Sequence, residues 1–163
     1  MNELLLGMPG LEWVYLGAAV AAIGGGIGSA IGITSISNAA AGIVTEDADK
    51  FGKVLPLAAM PGTQGIYGLV TMVLVFVFTG VFAGEAADID AAMGLRVFFA
   101  CLPVAFVCLF SGIYQGIAAV GASGMVARRD EDSGKALIFP ALVETYAVFS
   151  LVVSILMLLY AVG

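Results

Sequence analysis

Glu144 is the only carboxylate in the last long apolar run of this 163-residue chain. The run covers residues 136–162 and contains no other acidic or basic side chain. Glu144 lies nine residues beyond Lys135. That is ~13 Å along a helix, so a helix end at the headgroups is the less favoured interpretation. An ionised carboxylate inside a bilayer costs ~3 kcal/mol or more, and it is normally paired, protonated or bound to an ion. The pattern therefore predicts an intramembrane ion or proton site.

A second set of polar residues lies on one face of an earlier apolar run. Met60, Thr63, Gln64 and Tyr67 are spaced i, i+3, i+4 and i+7, which places them on the same side of a helix. Pro61 lacks a backbone N–H and disturbs the preceding turn, so the carbonyl of Met60 is a candidate ligand. Taken alone, Thr63 could bond to a carbonyl of its own helix, and Tyr67 could be a packed aromatic.

The third apolar run adds Gln115 near its middle. Gln64 and Gln115 could each be an interhelical hydrogen-bonding residue and nothing more. Together with the Thr63 hydroxyl, the Met60 carbonyl and Glu144, their amide oxygens form an all-oxygen set that suits a hard cation. One carboxylate matches one monovalent charge, so the set favours Na⁺, with H⁺ as the alternative.

Composition places the chain among helical membrane proteins. Of its residues 61% are hydrophobic and 11% are charged, whereas a soluble domain has about 25% charged residues. The apolar runs are long and do not alternate, unlike those of a barrel. The net charge of −6 and the lack of a basic stripe argue against a nucleic-acid partner. Cys101 and Cys108 are expected to be buried small hydrophobes. The N-terminus lacks the basic region of a signal peptide, so the first apolar segment is expected to be retained.

Four apolar segments predict four transmembrane helices. Basic residues cluster at the first and third turns, near 46–50 and 128–135, whereas the turn at 84–90 carries acids and no lysine. The positive-inside rule then predicts that the first and third turns are cytoplasmic in a cell-membrane protein, with both termini outside. The four segments cover approximately residues 11–44, 54–83, 97–127 and 136–163.

The chain repeats itself at an offset of 82 residues, at which Ser29 aligns with Ser111. We therefore expect an all-α membrane protein made of two fused parallel helical hairpins. Gly62 aligns with Glu144, so the first hairpin has lost its carboxylate and each chain carries one ionisable site. The two predicted hairpins are residues 1–83 and 84–163.

Small residues form ladders on the first and third segments. Such ladders let helix backbones approach closely in lipid. The two helices either pair within the chain or form the crowded inner wall of an oligomer, with the bulkier second and fourth helices facing lipid. The ladder residues are Gly24, Gly28, Gly32, Gly112 and Gly116.

Residues 61–68, 111–116 and 142–146 resemble those of the proteolipid (K or c) subunits of prokaryotic V-type rotary ATPases, closest to the sodium-translocating branch. The resemblance covers essentially the whole chain. It implies a membrane rotor ring of identical copies that is itself non-catalytic, with ATP hydrolysis in a separate soluble head. It also implies a stator membrane subunit that supplies an arginine, and central-stalk subunits that contact the cytoplasmic turns.

The resemblance also assigns roles to single residues. It implies that the tyrosine that hydrogen-bonds the carboxylate is Tyr67. Position 60 is often Leu in the family, but Met60 leaves the backbone ligand in place. The implied Na⁺ ligands are the Met60 carbonyl, Thr63, Gln64, Gln115 and Glu144.

Two other classes of function stay open from the residues alone. A small secondary transporter could use Glu144 as its coupling carboxylate, but such transporters are commonly built from inverted repeats, and this repeat is parallel. A structural membrane scaffold or pore is the other class. Glu144, together with Gln64 and Gln115 at membrane depth, argues against it.

Overall fold

Four long helical spans make up most of the protein in a computed structural model, which describes residues 8–84, 89–129 and 133–163. Each span is long and apolar enough to cross a membrane, which confirms the predicted all-α fold with four transmembrane helices. The first span is helix α1 (Gly10–Glu46) and the third is α4 (Ala91–Arg128). The second span consists of a 3₁₀ turn (Ala48–Lys50), α2 (Phe51–Ala59), a second 3₁₀ turn (Met60–Gly62) and α3 (Thr63–Phe78). The fourth span consists of α5 (Ser133–Ala136) and α6 (Ile138–Val162).

The second span ends earlier than the sequence predicted. Helix α3 stops at Phe78, whereas the predicted segment continued to residue 83. Gly80 has a φ of 71° and Gly84 a φ of 75°. Both values lie in the left-handed region, which suits glycine and terminates a helix. Residues 85–88 of the predicted acidic turn, residues 130–132 of the third turn and residues 1–7 lie outside the described residues.

The second span is interrupted at the proline that predicted a disturbance. Met60–Gly62 forms one 3₁₀ turn between α2 and α3. Because Pro61 has no N–H, it cannot donate a helical hydrogen bond at this turn. The interruption makes Thr63 the first residue of α3, followed directly by Gln64.

Helices α1 and α4 pack against each other at the centre, with α3 against α1 and α6 against α4. A Cβ added to Gly24 would lie 2.9 Å from the Cα of Ala105, and one added to Gly28 would lie 2.8 Å from the Cα of Leu109. Only glycine permits so close an approach. The ladders therefore serve helix pairing within the chain, which is one of the two uses that the sequence left open. Gly32, Gly112 and Gly116 lie in similarly close backbone contacts.

The two hairpins run in the same direction. Lys50, in the first turn, donates a hydrogen bond from Nζ to the carbonyl oxygen of Ala127 near the end of α4. At the other end of the bundle, the start of α1 at Gly10 lies against the backbone of Asp90, just before α4. The first and third turns therefore share one end of the molecule. The boundary between residues 83 and 84 stays a prediction.

Candidate functional site

The carboxylate of Glu144 lies in the first half of the fourth span and is half-buried against the second and third spans. The hydroxyl of Tyr67 donates a hydrogen bond to Glu144 Oε1 over 2.9 Å. The side-chain amide of Gln115 donates to Glu144 Oε2 over 3.3 Å. Both donors are neutral, so they orient the carboxylate without cancelling its charge. An ionised Glu144 still requires a positive partner at this depth.

Gln115 joins three helices. Its side chain is fully buried in the middle of α4. Its Oε1 accepts a hydrogen bond from Gln64 Nε2 over 2.6 Å, and its Nε2 donates to the carbonyl oxygen of Pro140 over 3.1 Å. Pro140 lies in the first turn of α6. The amide of Gln115 thus links α3, α4 and α6 next to the carboxylate, and a buried amide with all these partners holds one orientation.

Three oxygens meet where the second span is interrupted. The Thr63 hydroxyl lies 3.0 Å from the carbonyl oxygen of Met60 and 3.4 Å from Gln64 Oε1. A threonine hydroxyl has one proton, so it cannot donate fully to both acceptors at once. The turn therefore presents more hydrogen-bond acceptors than donors, an arrangement that also suits a cation.

The structure brings together all six residues that the sequence named for the site. A continuous chain of contacts between 2.6 and 3.4 Å runs from the Met60 carbonyl through Thr63, Gln64 and Gln115 to Glu144. Tyr67 closes the chain from the far side of the carboxylate. The i, i+3 spacing of Gln64 and Tyr67 directs the first to Gln115 on the third span and the second to Glu144 on the fourth.

Two serines belong to this network although the sequence indicated them only as markers of the repeat and of helix packing. Ser111 Oγ accepts from Gln64 Nε2 over 3.3 Å and donates to the carbonyl oxygen of Val143 over 3.1 Å. Ser29 Oγ accepts from the backbone N–H of Gly65 over 2.7 Å. Each serine bonds to a neighbouring helix at the level of the site. The sequence signal that could have identified this role is that Ser29 and Ser111 occupy equivalent positions in the two repeats.

The position equivalent to Glu144 in the first hairpin holds no ion-binding group. A Cβ on Gly62 would have Ile33 Cδ1, at 3.5 Å, as its nearest neighbour. Within the described parts of the chain, no three His, Cys, Asp or Glu side chains come together. The site thus consists of one carboxylate and neutral oxygens, which matches a monovalent cation better than a divalent one.

Comparison with known proteins places the chain in a family. The family model for the C subunit of ATP synthase matches residues 16–75 and again residues 98–157, two segments that begin and end 82 residues apart. The chain is 40% identical over 161 residues to the V-type sodium ATPase subunit K of Enterococcus hirae, an alignment that covers 99% of both proteins. It is 42% identical over 148 residues to the A-type ATP synthase subunit K of Methanocaldococcus jannaschii, covering 90% of this chain and 63% of that protein. With its four apolar spans, the chain is a multi-pass membrane protein, and it belongs to the ATP synthase C-subunit family, the non-catalytic proteolipid subunits of rotary ATPases.

Proposed function

We propose that this chain forms the rotor ring of an ATP-driven sodium pump, and that each copy carries one Na⁺ at Glu144. The contact chain that joins Glu144 to neutral oxygens of the second and third spans carries the proposal. The name of the Enterococcus hirae relative, a sodium ATPase subunit, supports the choice of ion. ATP hydrolysis takes place in other subunits of the complex.

The proposed ligands are the oxygens already gathered at the site. Na⁺ binds the Thr63 hydroxyl oxygen, the Met60 carbonyl and Gln64 Oε1, and the Thr63 hydroxyl keeps its proton. The ion also binds Gln115 Oε1 and the Glu144 carboxylate. The Tyr67 hydroxyl continues to donate to the carboxylate oxygen it already contacts. The ion and the carboxylate then sum to zero charge, so a loaded copy can face lipid without the penalty of a bare charge.

Ion exchange requires a place where this neutral pair is destabilised. We propose that an arginine of a stator subunit destabilises the pair, because a guanidinium next to Glu144 competes with Na⁺ for the same carboxylate. Water reaching the site there solvates the released ion. Rotation of the ring then brings each copy in turn from the lipid to this exchange position.

The turns near 46–50 and 128–135 are proposed to be cytoplasmic and to contact the central stalk, with both termini on the outer side. Their basic residues support this sidedness through the positive-inside rule. The contact between Lys50 and the carbonyl of Ala127 supports their acting as one surface, because it ties the first turn to the end of the third span.

Labelling of Glu144 by a carboxyl-directed carbodiimide tests the sodium proposal. The reagent reacts with the protonated carboxyl group, so a bound Na⁺ should protect Glu144. We expect protection by excess Na⁺ and none by the same concentration of choline, at a pH where labelling occurs. The Glu144→Gln variant should remain unlabelled, which verifies the position of the reaction. Equal labelling with and without Na⁺ would overturn the sodium proposal and favour a proton-carrying ring.

A further inference from the structure

The first turn of α3 carries two of the proposed ligands, Thr63 and Gln64, and it begins where the second span is interrupted. A backbone N–H in the first turn of a helix is commonly bound by the side chain at the N-cap position. In α3 that position is held by Gly62, which has no side chain to accept a hydrogen bond. The turn that presents the ligands therefore has no side-chain acceptor at its own N-cap.

Ser29 of α1 supplies an acceptor from a neighbouring helix. Its Oγ accepts a hydrogen bond from the backbone N–H of Gly65, the third residue of α3, over 2.7 Å. This amide is one that an N-cap side chain usually binds. Because Ser29 is only 7% exposed, the bond is shielded from water. A side chain of the first span thus holds the ligand-bearing turn of the second span.

The contact depends on the absence of a Cβ at Gly65. A Cβ added there would lie 3.1 Å from Ser29 Oγ and 3.4 Å from Ser29 Cβ. The first of these distances is shorter than an ordinary van der Waals contact, so the hydroxyl would have to move. Glycine at position 65 therefore allows α1 and α3 to approach closely enough for the hydrogen bond.

The equivalent serine of the second repeat is used differently. Ser111 aligns with Ser29 at the 82-residue offset, and Ala147 aligns with Gly65. Helix α6 runs past this level without an interruption, and Ser111 Oγ donates to the carbonyl oxygen of Val143. The serine that accepts from a backbone amide is thus the one that faces the interrupted span. This difference between the repeats links the role of Ser29 to the interruption rather than to helix packing alone.

The next turn of α3 is positioned by another contact. A Cβ added to Gly68 would lie 2.5 Å from the carbonyl oxygen of Ala21, so the backbones of α3 and α1 already touch there. Tyr67, whose hydroxyl donates to Glu144, precedes this contact directly. Loss of the Ser29 hydroxyl should therefore disturb the first turn of α3 and leave the hydrogen bond to the carboxylate in place.

We propose that Ser29 is a positioning residue that sets the preference of the site for Na⁺ over H⁺. The two ions compete for the carboxylate of Glu144, but only Na⁺ also binds the neutral oxygens at the start of α3. A shift of that turn weakens Na⁺ binding and leaves protonation of the carboxylate unchanged. This inference rests on the proposed function, which supplies the bound Na⁺.

Two substitutions of similar shape test the hydroxyl. Ser29→Thr keeps a hydroxyl group, whereas Ser29→Val has a methyl group in its place. Both add similar bulk to α1, so a difference between them reports the hydrogen bond. In full-length chains, carbodiimide labelling of Glu144 measures the Na⁺ concentration that half-protects it and, without Na⁺, the pH dependence of labelling. We expect Ser29→Val to require about fivefold more Na⁺ than Ser29→Thr, with the same pH dependence.

Ser35→Ala is the matched control on the same helix, because the Ser35 hydroxyl donates to the carbonyl oxygen of Ile31 within α1. It should leave both quantities unchanged. Equal Na⁺ dependence in Ser29→Thr and Ser29→Val, or an altered pH dependence in Ser29→Val alone, would overturn the proposed role while the unsubstituted chain is still protected. A failure of Na⁺ to protect the unsubstituted chain would overturn the proposed function itself.

A double-mutant cycle with Gly65 gives an independent measurement. In the unsubstituted chain, Gly65→Ala should weaken Na⁺ binding, because the added methyl group displaces Ser29 Oγ. In the Ser29→Ala chain this oxygen is absent, so Gly65→Ala should have a smaller effect and the two losses should be less than additive. Additive losses of Na⁺ affinity would show that the two residues act independently and would contradict the proposed contact.

Discussion

At the scale of the residue, the hydroxyl of Tyr67 is the nearest neutral donor to the carboxylate, at 2.9 Å from Oε1. We predict that Tyr67→Phe weakens Na⁺ binding about tenfold, or by ~1.4 kcal/mol, because a hydrogen bond to the ionised form of Glu144 is lost. The measurement is the Na⁺ concentration that half-protects Glu144 from carbodiimide. Tyr160→Phe is the control, since Tyr160 is 81% exposed and distant from the site. An unchanged Na⁺ dependence in Tyr67→Phe would show that the hydroxyl does not support the ionised carboxylate.

Ser111 supports ion binding by positioning other residues and is not itself a proposed ligand. It accepts from the Gln64 amide and donates to the carbonyl of Val143, so it fixes one ligand helix against another. We predict that Ser111→Ala weakens Na⁺ binding about fivefold, equivalent to ~1 kcal/mol, while Glu144 remains labelled. Ser123→Ala is matched to it, because Ser123 is a buried serine of the same helix that donates to the carbonyl of Val120, within its own helix. Similar Na⁺ affinities in the two variants would contradict a positioning role for Ser111.

The sequence predicted the side chains of the site better than its backbone acceptors. Thr63, Gln64 and Gln115 were identifiable because polar side chains are rare at membrane depth. The carbonyls of Pro140 and Val143, which accept from Gln115 and Ser111, carry no residue-type signal. Which carbonyl meets a donor depends on the rotation of one helix against another, and the hydrophobic pattern does not determine that rotation.

At the scale of the element, the glycine ladder of α1 sets the distance to α4. A Cβ on Gly32 would lie 2.8 Å from the Cβ of Pro61 and 3.0 Å from the carbonyl carbon of Gly112, where there is no flexible side chain to move aside. We predict that Gly32→Ala destabilises the folded chain by about 1–3 kcal/mol through overpacking. Thermal unfolding in detergent measures this loss of stability, which should lower the midpoint temperature of unfolding.

The control for this substitution is Gly42→Ala on the same helix. A Cβ on Gly42 meets nothing within 4 Å, so the change should be neutral or slightly stabilising, as expected from the higher helix propensity of alanine. Equal stabilities of the two variants would contradict the close packing of α1 on α4.

The number of spans and the break at Pro61 were predictable because they depend on local properties, namely apolar length and a missing N–H. The end of the second span was not. Residues 79–83 continue the apolar composition, but the chain leaves the helix as Gly80 takes a positive φ. A glycine in an apolar run is compatible with a helix in lipid, so composition gave no reason to end the span there.

At the scale of the whole molecule, the two repeats share one site carboxylate, because Gly62 stands at the position equivalent to Glu144. The first hairpin supplies Thr63 and Gln64 and the second supplies Glu144, so the site lies between the two repeats rather than inside either one. The pairing of α1 with α4 is therefore also what brings the ligands together. We therefore expect a substitution in the glycine ladder to weaken ion binding as well as to lower stability.

The orientation of the molecule in the membrane gives the last prediction. The first and third turns lie at one end of the bundle, and the residues around them include Lys50, Lys53, Arg128 and Arg129. If this end is cytoplasmic, a cysteine at Ala48 should react with a membrane-impermeant maleimide in inverted vesicles and remain unlabelled in right-side-out vesicles. A cysteine at Ala83, which is exposed in the turn after α3, should show the opposite pattern. The unsubstituted chain is the control, because Cys101 and Cys108 are fully buried and should stay unlabelled in both. Labelling of both positions from the reverse sides would place the first and third turns outside, and the central stalk would then have to contact the opposite end of the ring.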